Sequence, residues 1–373
     1  MNKAHLILIT GATGAVGPLV VKALHAAGYS IRTLSLDPPP AGIWPDNVET
    51  QIGDVTEASD VQSAMQGVDA VIHLAALLHI VNPPPALQKK YEQINVGGTS
   101  TVVDEAIKAG VKRVVLFSTI AVYGPSNGRI LTEDTPPCPD TFYAQTKLAA
   151  EKIVLDAKGA DGGQIGTVLR LGAVYGSRIK GNYQRLVQAL AGNLGTRSQF
   201  LAKLGHVPSP KLPFIPVGNG FNRRTLVYDK DVARAAVLAL EHPDAAGKIF
   251  NVSDGEFHPL NDIISTMCQA LGRKPPWIVW PGNLGTRYQF LAKLGHVPRL
   301  PVGPVRFAAG IVEDMARLVG RQPPIMRATI DKYTEDVAVD SQRIQDELGF
   351  VPCYNLAAGW KETVQEMRKM END

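Results

Sequence analysis

Short apolar runs alternate with amphipathic, helix-like stretches through the first half of the chain. The runs predict β-strands, and those that are apolar throughout indicate strands buried on both faces. Such an alternation is typical of a parallel sheet covered by helices on both sides. The predicted strands are LILIT (6–10), SIRTLSL (30–36), VDAVIHLAA (68–76), VKRVVLFST (111–119) and QIGTVLRLG (164–172).

The alternation becomes less regular after about Gly176, where proline becomes frequent. We therefore expect an α/β domain over residues 1–176 and a smaller lobe formed mainly by residues 177–373. Some segments of the later part are expected to return to the first domain. In the second half, RTLVY (224–228) predicts a strand and DVARAAVLALEH (231–242) predicts a helix.

One segment of the predicted lobe occurs twice. GNLGTRSQFLAKLGHVP at 192–208 returns at 282–298 with a single change, Ser198 against Tyr288. A repeat of the fold would recur as a whole supersecondary unit with diverged sequence, and these copies do not. They are interpreted as insertions, either solvated surface excursions or lids over a site.

Composition narrows the class of protein. The chain has 373 residues, of which 45% are hydrophobic and 20% charged, as in a soluble globular protein. The formal charge of +3, without a basic cluster, argues against a nucleic-acid partner. Cys138, Cys268 and Cys353 are scattered, which favours reduced thiols and no metal site. The first apolar run is too short for a signal peptide, so we expect a cytoplasmic protein with no membrane partner.

A glycine-rich turn follows the first predicted strand and opens the first predicted helix. Gly11, Gly14 and Gly17 give the pattern T-G-x-x-G-x-x-G. In this context the first glycine permits a tight turn, the second lets backbone N–H groups approach a pyrophosphate, and the third lets helix pack on strand. The helix N-terminus adds free N–H groups and the positive end of its dipole. The pattern therefore predicts a dinucleotide site, with an ordinary turn as the alternative.

Cofactor preference depends on the end of the second strand, where an acidic residue binds the adenosine ribose of NAD. The usual acidic position holds Ser35, and Asp37 follows two residues later. Arg32 lies inside the strand pattern, so no arginine is placed to bind the 2′-phosphate of NADP. Asp37 therefore favours NAD over NADP, and Asp54 in GDV is a candidate contact for the adenine edge.

Tyr143 and Lys147 are four residues apart, so on a helix they share one face. An ammonium beside a phenol stabilises the phenolate and is expected to lower the pKa of Tyr143 towards the working range of an acid–base catalyst. Thr119, with Ser118 beside it, ends the fourth predicted strand and offers a hydroxyl to orient a substrate oxygen. An isolated Y-x-x-x-K pair on a helix is usually a surface pair, but this one follows the glycine turn.

At this point the sequence resembles the extended short-chain dehydrogenase/reductase family, the NAD-dependent epimerase/dehydratase group. The resemblance rests on TGATGAVG, GDV, HLAA, NVGGT, FSTIAVYG, YAQTK, LRLGAVYG, RRTLVYDKDVARA and LGFVP, and runs from residue 7 to about 353. It implies a Rossmann-type, doubly wound parallel sheet with a smaller C-terminal substrate lobe. It carries over Thr119, Tyr143 and Lys147 as catalytic residues and Asn95 as a supporting residue.

The resemblance also implies a set of cofactor contacts. Thr119 and Tyr143 are expected to touch the substrate as well, together with Arg224. Family members often dimerise through two helices, here 92–109 and 140–158, so a homodimer is expected. The predicted NAD-binding residues are Gly11, Thr13, Gly14, Ala15, Val16, Gly17, Asp37, Asp54, Val55, Leu74, Ala75, Ala76, Asn95, Tyr143 and Lys147.

The family contains several reaction types, and two substitutions argue against one of them. Dehydratases of the group carry an acidic pair for elimination after the strand-end threonine, where this chain has Ile120 and Ala121. Arg224 matches an arginine that holds a sugar nucleotide's diphosphate, although an ion pair with Asp231 is the structural alternative. Ala173 stands where epimerases commonly have an asparagine, which weakens the substrate assignment.

Sugar-nucleotide epimerisation through a keto intermediate is therefore the favoured interpretation. The alternative is an NAD(P)-dependent dehydrogenase of a hydrophobic secondary alcohol, because the tail from PPIMRATIDKY resembles the 3β-hydroxysteroid branch. PVRFAAGIVEDMARLVG before it is an apolar helical pattern that would suit such a substrate, or would pack the lobe on the core. A dinucleotide-binding regulatory protein without turnover is the third hypothesis.

Overall fold

A computed structural model describes residues 5–78, 85–191, 217–275, 301–318 and 327–372. The chain folds into two compact units, each built from three separate stretches. The larger, the sheet unit, combines Met1–Val174, Thr225–Phe257 and Ala338–Cys353, and the second unit combines Tyr175–Arg224, His258–Val337 and Tyr354–Asp373. Both repeated segments, 192–208 and 282–298, lie outside the described residues.

Seven parallel strands form the sheet of the larger unit, in the order β10-β6-β5-β4-β1-β2-β3. The chain starts in the middle and winds first to one edge and then to the other, so the predicted doubly wound parallel sheet is confirmed. The strands are β1 (Leu6–Thr10), β2 (Ser30–Ser35), β3 (Glu49–Ile52), β4 (Ala70–His73), β5 (Arg113–Thr119), β6 (Gly166–Leu171) and β10 (Lys248–Val252).

Helices cover both faces of this sheet. Those of the sheet unit are α1 (Gly17–Ala26), α2 (Ala58–Ala64), α3 (Pro85–Tyr91), α4 (Gly98–Lys108), α5 (Phe142–Asp156), α7 (Asp229–Glu241) and α11 (Gln342–Leu348). A π-helix, Glu92–Gly97, joins α3 to α4, and short 3-10 helices follow β5 at Ile120–Tyr123 and α7 at Pro243–Ala245.

Alternate residues of each strand enter two separate cores. On β1, Ile7 and Ile9 pack with α1, α7 and α11, whereas Leu8 packs with α2, α4 and α5 on the opposite face. Burying one such side chain contributes about 1.5–3 kcal/mol to stability. A shift of the strand by one residue would turn every side chain to the opposite face, so the packing of both cores favours the observed register. This two-sided burial fixes the strand ends, where the candidate site lies.

The second unit contains the helices α6 (Asn182–Ala191), α8 (Leu260–Leu271), α9 (Val302–Leu318), α10 (Arg327–Thr334) and α12 (Leu356–Asn372). The short strands β8 (Arg223–Arg224) and β11 (His258–Pro259) pair antiparallel in it. α8 packs against α6 and α12, and the rings of Tyr175 and Trp360 stack with centroids 4.7 Å apart. On α9, the side chains of Phe307, Ile311 and Met315 are exposed among the residues that the structure describes.

The predicted strand 224–228 is divided in the structure. Its residues belong to β8 and to β9 (Leu226–Tyr228), which follows Thr225, while β7 (Ala173–Tyr175) follows β6. The predicted helix 231–242 is α7, which packs on the sheet although it lies in the second half of the chain. Within the described ranges, no helix combines the length and apolar character needed to span a lipid bilayer.

Candidate functional site

The glycine turn brings three strand ends together. Gly11 has a φ of +70°, and its N–H donates to Leu34 O on β2 at 2.8 Å. A Cβ at this position would lie 2.7 Å from the Cα and N of Ala75, which follows β4. Both the left-handed backbone and the close contact therefore require glycine here, as the sequence predicted for the first glycine.

Gly17 provides the contact between helix and strand end that the third glycine predicts. A Cβ there would lie 2.1 Å from Ala12 O, so α1 starts against the turn with no room for a side chain. The Gly14 N–H closes the turn by donating to Gly11 O at 3.0 Å. Val16 precedes α1 without a capping side chain in the described part of the chain. Pro18 has no N–H, and the Leu19 and Val20 N–H groups donate to Val16 O, so the candidates for binding an anion are the backbone N–H groups just before Pro18. Thr13 and Ala15 complete this turn.

Ser35, at the end of β2, lies closer to the turn than the predicted specificity residue does. The buried Ser35 hydroxyl oxygen accepts the Thr13 N–H at 3.3 Å, whereas Asp37 is exposed two residues further on. One carboxylate oxygen of Asp54, after β3, accepts the Thr56 N–H at 2.9 Å and so shapes its own loop. Next to it Val55 is buried against α4.

Leu74, Ala75 and Ala76 follow β4 and are partly exposed. The Leu74 N–H donates to Thr10 O at 3.1 Å, and the Ala75 N–H donates to the Thr10 side-chain oxygen at 3.4 Å. Thr10 ends β1, so this predicted wall of the cofactor site is tied directly to the strand that precedes the glycine turn.

His73 connects this loop to α4 through a hydrogen-bond chain that the sequence did not predict. Thr10 Oγ1 lies 2.7 Å from His73 Nδ1, and His73 Nε2 lies 3.0 Å from Thr99 Oγ1. Because the Thr99 hydroxyl donates to Asn95 O at 2.7 Å, it accepts from Nε2–H, and Nδ1 accepts from Thr10. Burial, together with the charge of Lys147, lowers the pKa of His73 to about 3, so the ring is neutral.

Asn95 lies in the π-helix with its side chain 1% exposed. Its Oδ1 accepts the Leu77 N–H at 2.7 Å, and its Nδ2 donates to Leu77 O at 3.2 Å and to Thr146 Oγ1 at 3.1 Å. The Thr146 hydroxyl in turn donates to Tyr143 O at 2.9 Å. The predicted supporting residue therefore connects the loop after β4 to the first turn of α5.

Thr119 ends β5 partly exposed, and its Oγ1 accepts the Ala121 N–H at 3.2 Å. This bond leaves the hydroxyl hydrogen of Thr119 to donate to another group. Ser118 instead points into the core, where its hydroxyl donates to Glu151. Ile120 and Ala121 begin the 3-10 helix and supply no carboxylate to this region.

Tyr143 and Lys147 lie one turn apart on α5, which Thr141 caps by accepting the Ala144 N–H. Tyr143 is partly exposed, and its ring meets Tyr91 edge-on with centroids 6.3 Å apart. Lys147 is 3% exposed, and burial lowers its pKa from 10.5 to about 8 against an opposing effect of Glu151.

The electrostatics of Tyr143 differ from the sequence-based expectation. Burial, and then repulsion from Tyr91, raises the pKa of Tyr143 above its usual value. The expected lowering of this pKa by Lys147 is therefore wrong. The reason is that burial and the neighbouring Tyr91 both disfavour the phenolate. The phenol and the ammonium are consequently the forms present near neutral pH.

Arg224 belongs to the second unit, where its guanidinium donates to Lys332 O at 2.5 Å and Tyr333 O at 2.9 Å. Asp231, its proposed structural partner, lies in the sheet unit and accepts from Arg234 at 2.8 Å. The described contacts thus anchor Arg224 to backbone at the end of α10, and its contact with substrate stays a prediction.

A family model described as "NAD dependent epimerase/dehydratase family" matches residues 7–253. UDP-glucose 4-epimerase of Vibrio cholerae is 26% identical over 373 aligned residues, covering 98% of this chain and 96% of the relative. 3-beta-hydroxysteroid dehydrogenase of Mycolicibacterium neoaurum is 27% identical over 291 residues, covering 74% and 73%. The solved structure of MoeE5 in complex with UDP-glucose and NAD has a TM-score of 0.68 at 24% identity, covering 98% of this chain and 99% of that one.

These matches agree with the motifs that the sequence analysis singled out, and they confirm the predicted family and enzyme class. The structural match, at its low identity, supports the Rossmann-type fold alone. The chain belongs to the NAD dependent epimerase/dehydratase family.

Proposed function

We propose that this protein is an NAD-dependent epimerase of a nucleotide sugar that acts through a transient keto intermediate. The observation that carries the proposal is the similarity to a UDP-glucose 4-epimerase over nearly the whole length of both chains. The similarity to the steroid dehydrogenase covers less of both chains. MoeE5, which shares the fold, was solved with a nucleotide sugar and NAD together.

The residues at the sheet's carboxyl edge fit a dinucleotide. The turn has no space for a Cβ at Gly11 or Gly17, and α1 begins there without a side-chain cap, which suits a pyrophosphate. Bound NAD would supply a reversible hydride acceptor, which an epimerase uses to return the hydride to the sugar's other face. The residues proposed to hold it are the turn residues 11 and 13–17, with Asp37, Asp54, Val55, Leu74, Ala75, Ala76, Asn95, Tyr143 and Lys147.

Three side chains of the sheet unit would act on the substrate. Tyr143 acts as the phenolate. Once the phenol has released its proton to water, the Tyr143 oxygen takes the proton of the sugar hydroxyl as the carbon loses its hydride, and it returns that proton when the keto group is reduced. The Lys147 ammonium, present below a pKa of about 8, stabilises the phenolate in this step. Thr119 donates its hydroxyl hydrogen to the same substrate oxygen, and Arg224 would bind the diphosphate.

The proposal is tested by incubating the purified protein with UDP-sugars and following both the sugar and the cofactor. We expect NMR to detect the epimer, with nicotinamide retained on the protein and no net change in NADH absorbance. Tyr143→Phe should lower the rate about 10²–10⁴-fold, whereas Tyr29→Phe, which removes a surface hydroxyl bonded to Glu241, should not. An active Tyr143→Phe variant would contradict the proposed chemistry.

NAD is proposed over NADP because Ser35 ends β2 and Asp37 follows it by two residues. A 2′-phosphate would meet the Asp37 carboxylate there, and Arg32 is directed to Glu49 and to backbone oxygens of the sheet unit. Equilibrium binding of both cofactors tests this choice. We expect tighter binding of NAD, and Asp37→Asn should reduce the difference. Equal affinities in the wild-type protein would overturn the preference.

A dehydrogenase of a hydrophobic secondary alcohol is the second candidate. It is favoured by the exposed Phe307, Ile311 and Met315 on α9, in the region whose apolar pattern suits such a substrate. The first half-reaction is the same, but NADH accumulates. Steady NADH production from NAD and a 3β-hydroxysterol, without epimerised UDP-sugar, would replace the first proposal. If neither substrate reacts and NAD still binds, a regulatory role is favoured.

The homodimer and the cytoplasmic location stay predictions.

A further inference from the structure

An ion pair lies buried beneath the proposed catalytic residues. Glu151 on α5 and Arg170 on β6 have side chains 1% and 2% exposed. Arg170 Nη2 lies 2.7 Å from Glu151 Oε2, and Arg170 Nε lies 3.1 and 3.2 Å from the two carboxylate oxygens. The Ser118 hydroxyl donates to Oε1 of the same carboxylate. One carboxylate thus binds a helix to two neighbouring strands.

Two of the residues in this cluster, Glu151 and Ser118, lie close along the chain to the proposed catalytic residues. Glu151 comes one helical turn after Lys147, which comes one turn after Tyr143, so the three share a face of α5. Ser118 immediately precedes Thr119, and it is the register partner of Arg170 across β5 and β6. The carboxylate therefore ties the strand end carrying Thr119 to the helix turn carrying Lys147.

The charges are oriented as well as buried. The Glu151 carboxylate raises the pKa of Lys147, one turn earlier on the same helix, and the charge of Lys147 lowers the pKa of His73 on β4. Burial lowers the pKa of Lys147, and Glu151 opposes that effect. A buried pair of this kind is often no more stabilising than apolar residues of the same volume, so stability alone does not account for it.

We propose that Glu151 is a positioning residue that keeps Lys147 charged and holds Thr119 and Lys147 in one geometry, through its bonds to Arg170 and Ser118. This inference rests on the proposed function of Thr119, Tyr143 and Lys147. It adds a residue that touches neither substrate nor cofactor and acts through the lysine and the strand end.

The test uses a charge-balanced double variant, because removing one member of a buried ion pair leaves an unpaired charge that can unfold the protein. Glu151→Gln keeps an oxygen for the Ser118 hydroxyl. Arg170→Met removes the opposite charge and keeps an apolar contact with Tyr123, whose ring lies 4.7 Å from the guanidinium carbon. We expect this double variant to fold with a melting temperature near that of the wild type.

Three readouts separate positioning from simple structural support. The kcat of the double variant should fall at least about tenfold, with little change in KM. A tenfold fall in kcat corresponds to an increase of about 1.4 kcal/mol in the activation free energy. The alkaline limb of its pH–kcat profile should move to lower pH. ¹⁵N NMR of lysine-labelled protein, assigned with Lys147→Met, should show the Lys147 amine titrating at lower pH than in the wild type. Glu105→Gln, which changes another buried carboxylate, one that pairs with the exposed Lys108, should leave all three unchanged.

The outcomes distinguish this inference from the proposed function. Wild-type kcat, pH profile and Lys147 titration in the folded double variant would overturn the inference. If the Lys147 titration moves but Tyr143→Phe is as active as the wild type, the effect of Glu151 on the lysine stands and the proposed function fails. Ser118→Ala adds an independent check, because it should lower kcat without moving the alkaline limb of the pH profile. An unchanged kcat would show that the bond between Ser118 and Glu151 does not position Thr119.

Discussion

The Asn95 side chain forms two hydrogen bonds with the backbone of Leu77, accepting its N–H at 2.7 Å and donating to its carbonyl at 3.2 Å. The loop after β4 is thereby held to the π-helix, in the same way that a neighbouring strand would hold it. Asn95 also donates to Thr146 on α5. One amide therefore fixes the wall of the proposed cofactor site relative to the helix that carries Tyr143.

Replacing this amide should loosen the loop and destabilise the protein. Asn95→Leu removes both bonds to the Leu77 backbone, which are partly buried, and a buried polar group left without a partner costs about 1–3 kcal/mol. We expect a lower free energy of unfolding in urea and weaker binding of NAD. Ser100→Ala, in the first turn of α4, removes an exposed hydrogen bond to Asp104 and is the control. Wild-type stability in Asn95→Leu would contradict the role assigned to the amide.

Lys147 should make the stability of the protein depend on alkaline pH. Its pKa is about 8 in the folded protein against an ordinary value of 10.5. Between these values the unfolded chain binds a proton that the folded chain has lost, so the free energy of unfolding rises with pH, by up to about 3 kcal/mol. Urea titrations at pH 7.5 and 10 should show this rise in the wild type and a smaller one in Lys147→Met. If the free energy of unfolding changed equally with pH in the wild type and in Lys147→Met, Lys147 would not be desolvated in the folded protein.

His73 should make the stability of the protein depend on acidic pH. Its folded pKa is about 3 and its ordinary pKa 6.5, so below pH 6.5 the unfolded chain binds a proton that the folded ring does not. The free energy of unfolding should therefore fall by about 2 kcal/mol between pH 6.5 and pH 5 from this residue alone. His73→Gln should weaken this dependence. NMR should find the neutral ring with its hydrogen on Nε2, and a ring that titrates near pH 6.5 would be incompatible with the hydrogen-bond chain.

Gly17 should tolerate no side chain. A Cβ in Gly17→Ala would lie 2.1 Å from Ala12 O, a backbone atom that cannot move without displacing the glycine turn. We expect a loss of about 1–3 kcal/mol in stability and a marked loss of NAD binding. Gly181→Ala is a matched control, because that glycine has open space around its Cβ position and no positive φ. Normal NAD affinity in Gly17→Ala would separate the turn from the cofactor site.

The apolar pattern predicted the central strands because burial on both faces makes them mainly apolar, as in β4 and β6, where every residue is buried. It did not predict β3, since ETQI lies at the sheet edge, where polar side chains face water. It also did not predict β10, whose position beside β6 depends on a pairing between residues about 80 positions apart. Local periodicity carries no information on such a pairing.

The same limit applies to the candidate site. The glycine turn, Thr119, Tyr143 and Lys147 could be found because spacing along one element places them. His73 and Glu151 could not be assigned from spacing alone, because their partners lie on other elements. The signal for Glu151 was present, since it follows Lys147 by four residues, but only the structure shows that Arg170 and Ser118 bind it. The pKa of Tyr143 was predicted in the wrong direction because its burial was not visible in the sequence.

The interrupted course of the chain through the sheet has a consequence for synthesis on the ribosome. β6 is complete once Leu171 has been translated, but its neighbour β10 ends only at Val252. Until then a nascent polypeptide exposes an apolar strand edge that can pair with another molecule. Fragments ending between these two points should therefore aggregate, while chaperones that shield strand edges during translation should improve the yield of the complete protein.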